Sequence, residues 1–421
     1  MEKFIIKGPT PKGVKGLLEC SGAKNAALPL MASSILFDGT VILKNVPFVN
    51  DVKTMSSLLV SLGSKVELFE NKKIIKITNK KKHKLIVPFK LISTMRAGVL
   101  AMGSLLGKYN SCSTAMSGGC SLGDRGIGFH LEGFKKLSCQ YKLRRGYINI
   151  TAKKGIKGNT YKFPKVSVTG TSNLIMASVL GEGTTILKNV SIEPEVLDVI
   201  KFLKNGGAQI NFIGKRKIKI YGVKKLNGCS HAVIGDRIEA FSYLCTAAIT
   251  KGKIKISKID PKNLHTELNI LKRMGCGLKI KESSIEIDAK KNLKPVRIKT
   301  SPFPGFATDN MPSLMAVLTK VKGKSEIQEN IFSQRFQCVP ELNKMGASIT
   351  IKNNKAIIIG KDKLYGAECI SSDLRTTFSI ILGAIAASET SIVNRVYHGF
   401  RGYYRLDKKL KNIGVNIKKI S

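Results

Sequence analysis

Two kinds of apolar pattern alternate along this chain. One is apolar on every face. It occurs six times, as AKNAALPLMASSIL from Ala23, MRAGVLAMGSLLG from Met95, TSNLIMASVLGEG from Thr171, DRIEAFSYLCTAAIT from Asp236, DNMPSLMAVLTKV from Asp309 and DLRTTFSIILGAIAA from Asp373. A helix with no polar face must be wrapped by protein on all sides. The other pattern is one-sided. In VLDVIKFLKNGG, from Val196, apolar residues recur three and four apart, which predicts a helix with one face in water.

The one-sided pattern belongs to a repeated unit. Segments beginning at Gly39, Gly183, Gly252, Gly323 and Glu389 each read as a short strand, a loop, an amphipathic helix, a Gly-containing turn and another strand. A weaker sixth copy begins near Asn110. The spacing is about 70 residues, which divides the chain by six. Each unit then offers one buried helix, one surface helix and about four short strands. The reading is an α/β protein of six βαβαββ-like repeats, three per domain, with helices inside and sheets outside. The strand at the start, MEKFIIKG, lacks a unit of its own and is expected to pair with the C-terminal half.

Polar residues gather where the apolar helices begin: Lys24 and Asn25, Arg96, Thr169, Thr171 and Ser172, Asp236 and Arg237, Asp309 and Asn310, Asp373 and Arg375. Capping accounts for Asp309, Asp373 and Ser172. It does not account for Lys24, Arg96, Arg237 and Arg375, because the positive end of a helix dipole disfavours cations. Cations placed there make sense if they serve phosphates or carboxylates. Cys120 lies in TAMSGGCSLGDRGIG, with glycines at 118, 119, 123, 126 and 128. Such a stretch suits an exposed reactive loop better than core packing.

Charge and cysteines narrow the class. Lys plus Arg is 71 and Asp plus Glu 28, a net charge of +43. The lysines spread over the whole length without a single stripe, and the aromatic-flanked basic patterns of RNA-binding sheets are missing, so solvated faces are the expectation rather than nucleic-acid binding. Nine cysteines with no C-x-x-C pair argue against a disulfide framework and a zinc site. Phe4-Ile5-Ile6 is too short for a signal peptide, and the run near Ile380 to Ala387 is far short of the ~20 residues of a membrane span. A soluble cytoplasmic protein is expected.

Seven motifs carry a resemblance: SGAKNAALP from Ser21, MRA from Met95, GGC-x-x-G-x-R from Gly118, PGF-x-TD from Pro304, RF-x-x-VPEL from Arg335, DLR from Asp373 and RGY from Arg401. In order and spacing they resemble the UDP-N-acetylglucosamine 1-carboxyvinyltransferase family of enolpyruvyl transferases. The resemblance implies a two-domain inside-out α/β barrel with a double crossover. Residues 22–234 would form the domain that carries the Cys120 loop, and 1–21 with 235–421 the other. It implies transfer of the enolpyruvyl group of phosphoenolpyruvate to the 3′-hydroxyl of UDP-N-acetylglucosamine by addition and elimination. That is the first committed step of peptidoglycan synthesis. No metal or organic cofactor is implied, and a monomer is expected.

By the same resemblance Lys24, Arg125 and Arg401 hold phosphoenolpyruvate, Cys120 is the general acid at C3 and Asp309 takes the hydroxyl proton. Asn25 contacts the acetamido sugar. Arg96, Lys165, Ser167 and Val168 face the nucleotide and diphosphate. Ile331, Arg335, Asp373 and Arg375 complete the site near the intermediate. The family pattern is broken at Gly126-Ile127-Gly128, Ser333-Gln334 and Phe400. Another nucleotide or nucleoside acceptor is therefore the alternative, and a basic nucleic-acid-binding protein on the same scaffold is a distant third.

Cys120→Ser is expected to lose nearly all turnover, and the epoxide fosfomycin is expected to alkylate Cys120 in the parent protein. Full activity of the serine variant would remove the thiol from the role of proton donor.

Overall fold

The computed structural model describes residues 2–10, 13–79, 82–115, 126–290 and 292–420. The loop around Cys120, with Arg125, lies outside them. The chain divides into two compact units, one formed by residues 22–234 and the other by 1–21 with 235–421, among the described residues.

One repeat shows how the sequence builds each sheet. Arg297–Lys299 runs parallel to Lys324–Gln328, and the helix Met311–Leu318 makes the crossover between them. The helix Val339–Lys344 follows, then the hairpin Ser348–Lys352 and Lys355–Ile359. The second hairpin strand returns beside Lys324–Gln328, so the first is left at the edge. Asn353 sits at φ 55° in that hairpin, a left-handed position that Asn tolerates better than most side chains. The same four-strand order recurs in six sheets.

Two sheets obtain their first strand from elsewhere in the chain. Lys15–Glu19 supplies the parallel neighbour of Lys253–Ser257, and Ser230–Ala232 that of Thr40–Lys44. The chain passes from one unit to the other next to each of these strands, at residues 21–22 and 234–235. The first strand, Lys3–Lys7, pairs antiparallel with both Thr390–Asn394 and Asn416–Ile420, which is the C-terminal partnership its pattern required.

Within the 22–234 unit the core helices are Lys24–Ser33, Ala101–Tyr109 and Val168–Ser178. In the other unit they are Arg237–Thr250, Met311–Leu318 and Leu374–Ala386. Nearly every residue of these helices is buried. The surface helices bury one face only, and Gly63 and Gly275 end two of them in the left-handed conformation that suits glycine. Sheet residues alternate: in Lys355–Ile359 only Ala356 and Ile358 are buried. At about 1.5–3 kcal/mol for each large apolar side chain removed from water, wrapping the core helices is the main stabilising contribution.

Close helix contact needs small residues. Ala101–Tyr109 lies so near Val168–Ser178 that a Cβ on Gly103 would stand 2.3 Å from the Asn173 carbonyl oxygen, and one on Gly107 2.4 Å from that of Met176. The partners are backbone atoms and cannot rotate away. Among the described residues no helix is long and apolar enough to cross a membrane.

Gly103→Ala is expected to destabilise the protein by about 1–3 kcal/mol through overpacking, read as a melting temperature lower by several degrees. An unchanged melting temperature would contradict the close approach of these helices.

Candidate active site

The functional residues of the 1–21 and 235–421 unit begin at its core helices. Asp309 occupies a short 3-10 turn, Thr308–Asn310, that leads into Met311–Leu318. Its side chain makes no cap, contrary to the capping reading. Instead Arg375 donates to Oδ2 from Nη2 at 2.8 Å and from Nε at 3.2 Å, and Arg335 donates to Oδ1. Both guanidiniums are nearly inaccessible, whereas Asp309 keeps a quarter of its side chain in solvent. Burial works most strongly against the Arg375 charge, but Asp309, Tyr403 and Asp236 together outweigh it and the pKa rises. Removing Asp309 would take the carboxylate from two buried guanidiniums, and an uncompensated buried charge typically costs about 3–5 kcal/mol.

Neighbouring groups aim these charges. Asp373 caps the helix Leu374–Ala386, accepting from the N–H of Arg375 at 2.8 Å and of Thr376 at 3.1 Å. The cap fixes the first turn and so the base of the Arg375 side chain. Arg375 Nη1 also reaches the Tyr403 hydroxyl at 3.3 Å, which lies 2.8 Å from Ser242 Oγ. Arg335 Nε donates to the carbonyl oxygen and the hydroxyl of Thr308 at 3.2 and 3.3 Å. Half-buried Ile331 begins the loop that delivers Arg335.

Arg401 ends the 3-10 turn Val396–Arg401, which packs on Leu374–Ala386. The same turn carries His398, whose pKa is lowered by burial and then by the Arg401 charge. Its Nδ1 is buried and has no partner among the described residues.

In the 22–234 unit, Lys24 is the first residue of its core helix and pairs with Asp51 at 3.1 Å, both largely buried. Asn25 beside it is exposed. Arg96 opens the 3-10 turn Arg96–Leu100 ahead of Ala101–Tyr109. Lys165 and Val168 are exposed at the start of Val168–Ser178. The cap of that helix is Ser167, which accepts from Gly170 N at 3.1 Å. Ser172, expected as a cap, lies a turn inside and donates to the Val168 carbonyl at 3.2 Å. The remaining cation singled out at a helix start, Arg237, is buried with its guanidinium over the Phe303 ring.

The structure thus brings Asp309, Arg335 and Arg375 into direct contact, with Asp373 capping the same helix that bears Arg375. Lys24 and Lys165 stand at the starts of two different helices. Cys120 and Arg125 lie outside the described residues. Sequence reasoning passed over Asp51, Glu267 and Glu329. Asp51 is an acidic residue in the first turn of an amphipathic helix, where dipole compensation is explanation enough. Glu267 and Glu329 look like ordinary surface carboxylates in the sequence, yet both are 2 % exposed.

Comparison with known proteins gives this arrangement its class, the enolpyruvyl (carboxyvinyl) transferases. The family model EPSP synthase (3-phosphoshikimate 1-carboxyvinyltransferase) matches residues 9–410. Two solved structures share the fold. The enolpyruvyl transferase NikO from Streptomyces tendae has a TM-score of 0.89 at 18% identity, over 99% of this chain and 98% of that one. EPSP synthase from Acinetobacter baumannii has a TM-score of 0.78 at 20% identity, over the whole of both chains. Relatives in sequence are nearer. The UDP-N-acetylglucosamine 1-carboxyvinyltransferases of Pelagibacter ubique and Rickettsia africae are 45% and 41% identical, each over 100% of both chains. The chain belongs to the UDP-N-acetylglucosamine 1-carboxyvinyltransferase family.

Of the eight cysteines described, seven are buried and Cys229 is half-buried, and lost solvation raises the pKa of each thiol. Cys112, Cys139, Cys338 and Cys369 are pushed up to about 12, Cys229 and Cys276 to about 11, and Cys20 and Cys245 well above the usual value. A thiol held protonated is a poor nucleophile. Iodoacetamide on the folded protein is therefore expected to spare the seven buried cysteines and to label Cys120, as read by peptide mass spectrometry. Rapid labelling of any of the seven would contradict their burial.

Proposed function

We propose that this chain transfers the enolpyruvyl group of phosphoenolpyruvate to the 3′-hydroxyl of UDP-N-acetylglucosamine and releases phosphate. It does so as a monomer in the cytoplasm, with its two compact units as the two three-repeat domains. The observation that carries the reading is Asp309 held by two buried guanidiniums at the start of core helices, in a chain of this family. A carboxylate can take the proton of the attacking hydroxyl, and guanidiniums can stabilise the charge of a reacting carboxylate or phosphate.

The reaction runs in two balanced steps. In addition, the sugar oxygen bonds to C2 of phosphoenolpyruvate, Asp309 takes the hydroxyl proton and Cys120 gives a proton to C3. In elimination, C3 returns a proton to the Cys120 thiolate, the C2–C3 double bond re-forms, the bond from C2 to the phosphate oxygen breaks and inorganic phosphate leaves. Lys24, Arg125 and Arg401 bind the phosphate and carboxylate as fixed cations, so little reorganisation is needed as charge moves. Asn25 recognises the acetamido group. Arg96, Lys165, Ser167 and Val168 serve the nucleotide and diphosphate. Ile331, Arg335, Asp373 and Arg375 surround the reacting centre. Asp51 supports the reading for Lys24, because a buried ion pair fixes where that ammonium points.

Mixing the protein with phosphoenolpyruvate and UDP-N-acetylglucosamine is expected to release phosphate in proportion to consumed acceptor, followed by a phosphate assay and mass spectrometry of the product. Release with a different nucleotide and none with this one would move the assignment to another acceptor.

A further inference from the structure

Asp309 lies in a turn whose other three residues, Ala307, Thr308 and Asn310, are each held by a buried carboxylate. Glu267, on the surface helix His265–Met274, accepts from Ala307 N at 3.2 Å and from Asn310 Nδ2 at 3.0 Å, both at Oε1. Asn310 is fully buried and its Oδ1 has no partner among the described residues, so Glu267 is what anchors that side chain. Glu329 accepts from Thr308 Oγ1 at 2.9 Å through Oε2. Through Oε1 it accepts from Thr300 Oγ1 at 3.0 Å, Ile331 N at 2.7 Å and Phe332 N at 3.0 Å. The loop those last two residues begin carries Arg335, which donates back to Thr308 and to Asp309.

Among the described residues all six donors to these two carboxylates are neutral N–H or O–H groups. A buried carboxylate without a cation is costly, and it is held here because removing it would leave its buried donors unpaired. What the carboxylates supply is direction: each collects donors from separate chain segments and sets them at fixed angles. We propose that Glu329 and Glu267 are positioning residues for Asp309. Glu329 locks Thr308 to the loop that delivers Arg335, and Glu267 locks Ala307 and Asn310 on either side of the base. The inference rests on the reading of Asp309 as the group that accepts the hydroxyl proton.

The test compares steady-state phosphate release and melting temperature for Glu329→Ala, Glu329→Gln, Glu267→Ala, Glu267→Gln and Thr308→Val in the full chain. Loosening a reacting group by about 1 Å costs on the order of 100-fold. Glu329→Ala and Glu267→Ala are therefore expected to lower kcat about 10- to 100-fold while KM for both substrates stays within about threefold. Glu267→Gln keeps an acceptor oxygen for both its donors and is expected to restore kcat to within about threefold of the parent. Glu329→Gln keeps Oε1 but turns an amide towards Thr308, and Thr308→Val removes that link together with the weaker contact of the hydroxyl to Arg335 Nε, whose bond to the Thr308 carbonyl remains. Both are expected to fall between the parent and Glu329→Ala, and both retain nearly the full side-chain volume should the alanine variants fail to fold. Lower melting temperatures with unchanged kcat would make the carboxylates structural and overturn the proposal. If the parent protein released no phosphate with any acceptor, the functional reading would fail instead. The crystal structure of Glu329→Ala then decides: a displaced Asp309 side chain upholds the positioning role, and an unmoved Asp309–Arg335 contact overturns it.

Discussion

A helix without a polar face cannot meet water along its length, and six such helices govern how this chain folds. Each must be wrapped, and the short strands on either side of it are the material at hand. The repeat meets the requirement by packing a four-stranded sheet and a one-sided helix around each core helix. Glycines at 103 and 107 allow two of the core helices to touch backbone to backbone. The strands are short because a sheet needs only to span one helix, and their alternating burial follows from having one wet face.

The same constraint dictates where chemistry can be placed. Side chains along a fully wrapped helix are committed to packing, so polar function collects at the ends. Asp373 illustrates the economy of such an end. Its carboxylate satisfies the free N–H groups of the first turn, and in doing so fixes the residue that grips Asp309. The cost is a set of buried charges that need partners. Arg335 and Arg375 find Asp309, Lys24 finds Asp51, and Arg237 finds an aromatic face.

Much of the fold was readable before any coordinates. All-round apolarity marked the core helices correctly, and the unpaired first strand went where its lack of a unit required. Less of the site was readable. Capping chemistry misassigned Asp309, which bonds to arginines, and Ser172, whose neighbour Ser167 does the capping. Both errors have one origin. Ser, Thr and Asp near a helix start are equally suited to several positions, and only the actual dihedral angles select among them.

Sequence alone determined the elements, their repeat and which helices are buried, because periodicity is written in the local order of side chains and needs no partner to be recognised. The tertiary structure decided which strands were exchanged at residues 15–19 and 230–232, and which charges met. Asp309 lies 26 residues from Arg335 and 66 from Arg375, and Lys24 lies 27 from Asp51. Contacts over such separations depend on how whole repeats pack, so a buried carboxylate such as Glu329 is indistinguishable in the sequence from one on a lysine-rich surface. Its role exists only once the fold has brought Thr300, Thr308, Ile331 and Phe332 to the same place.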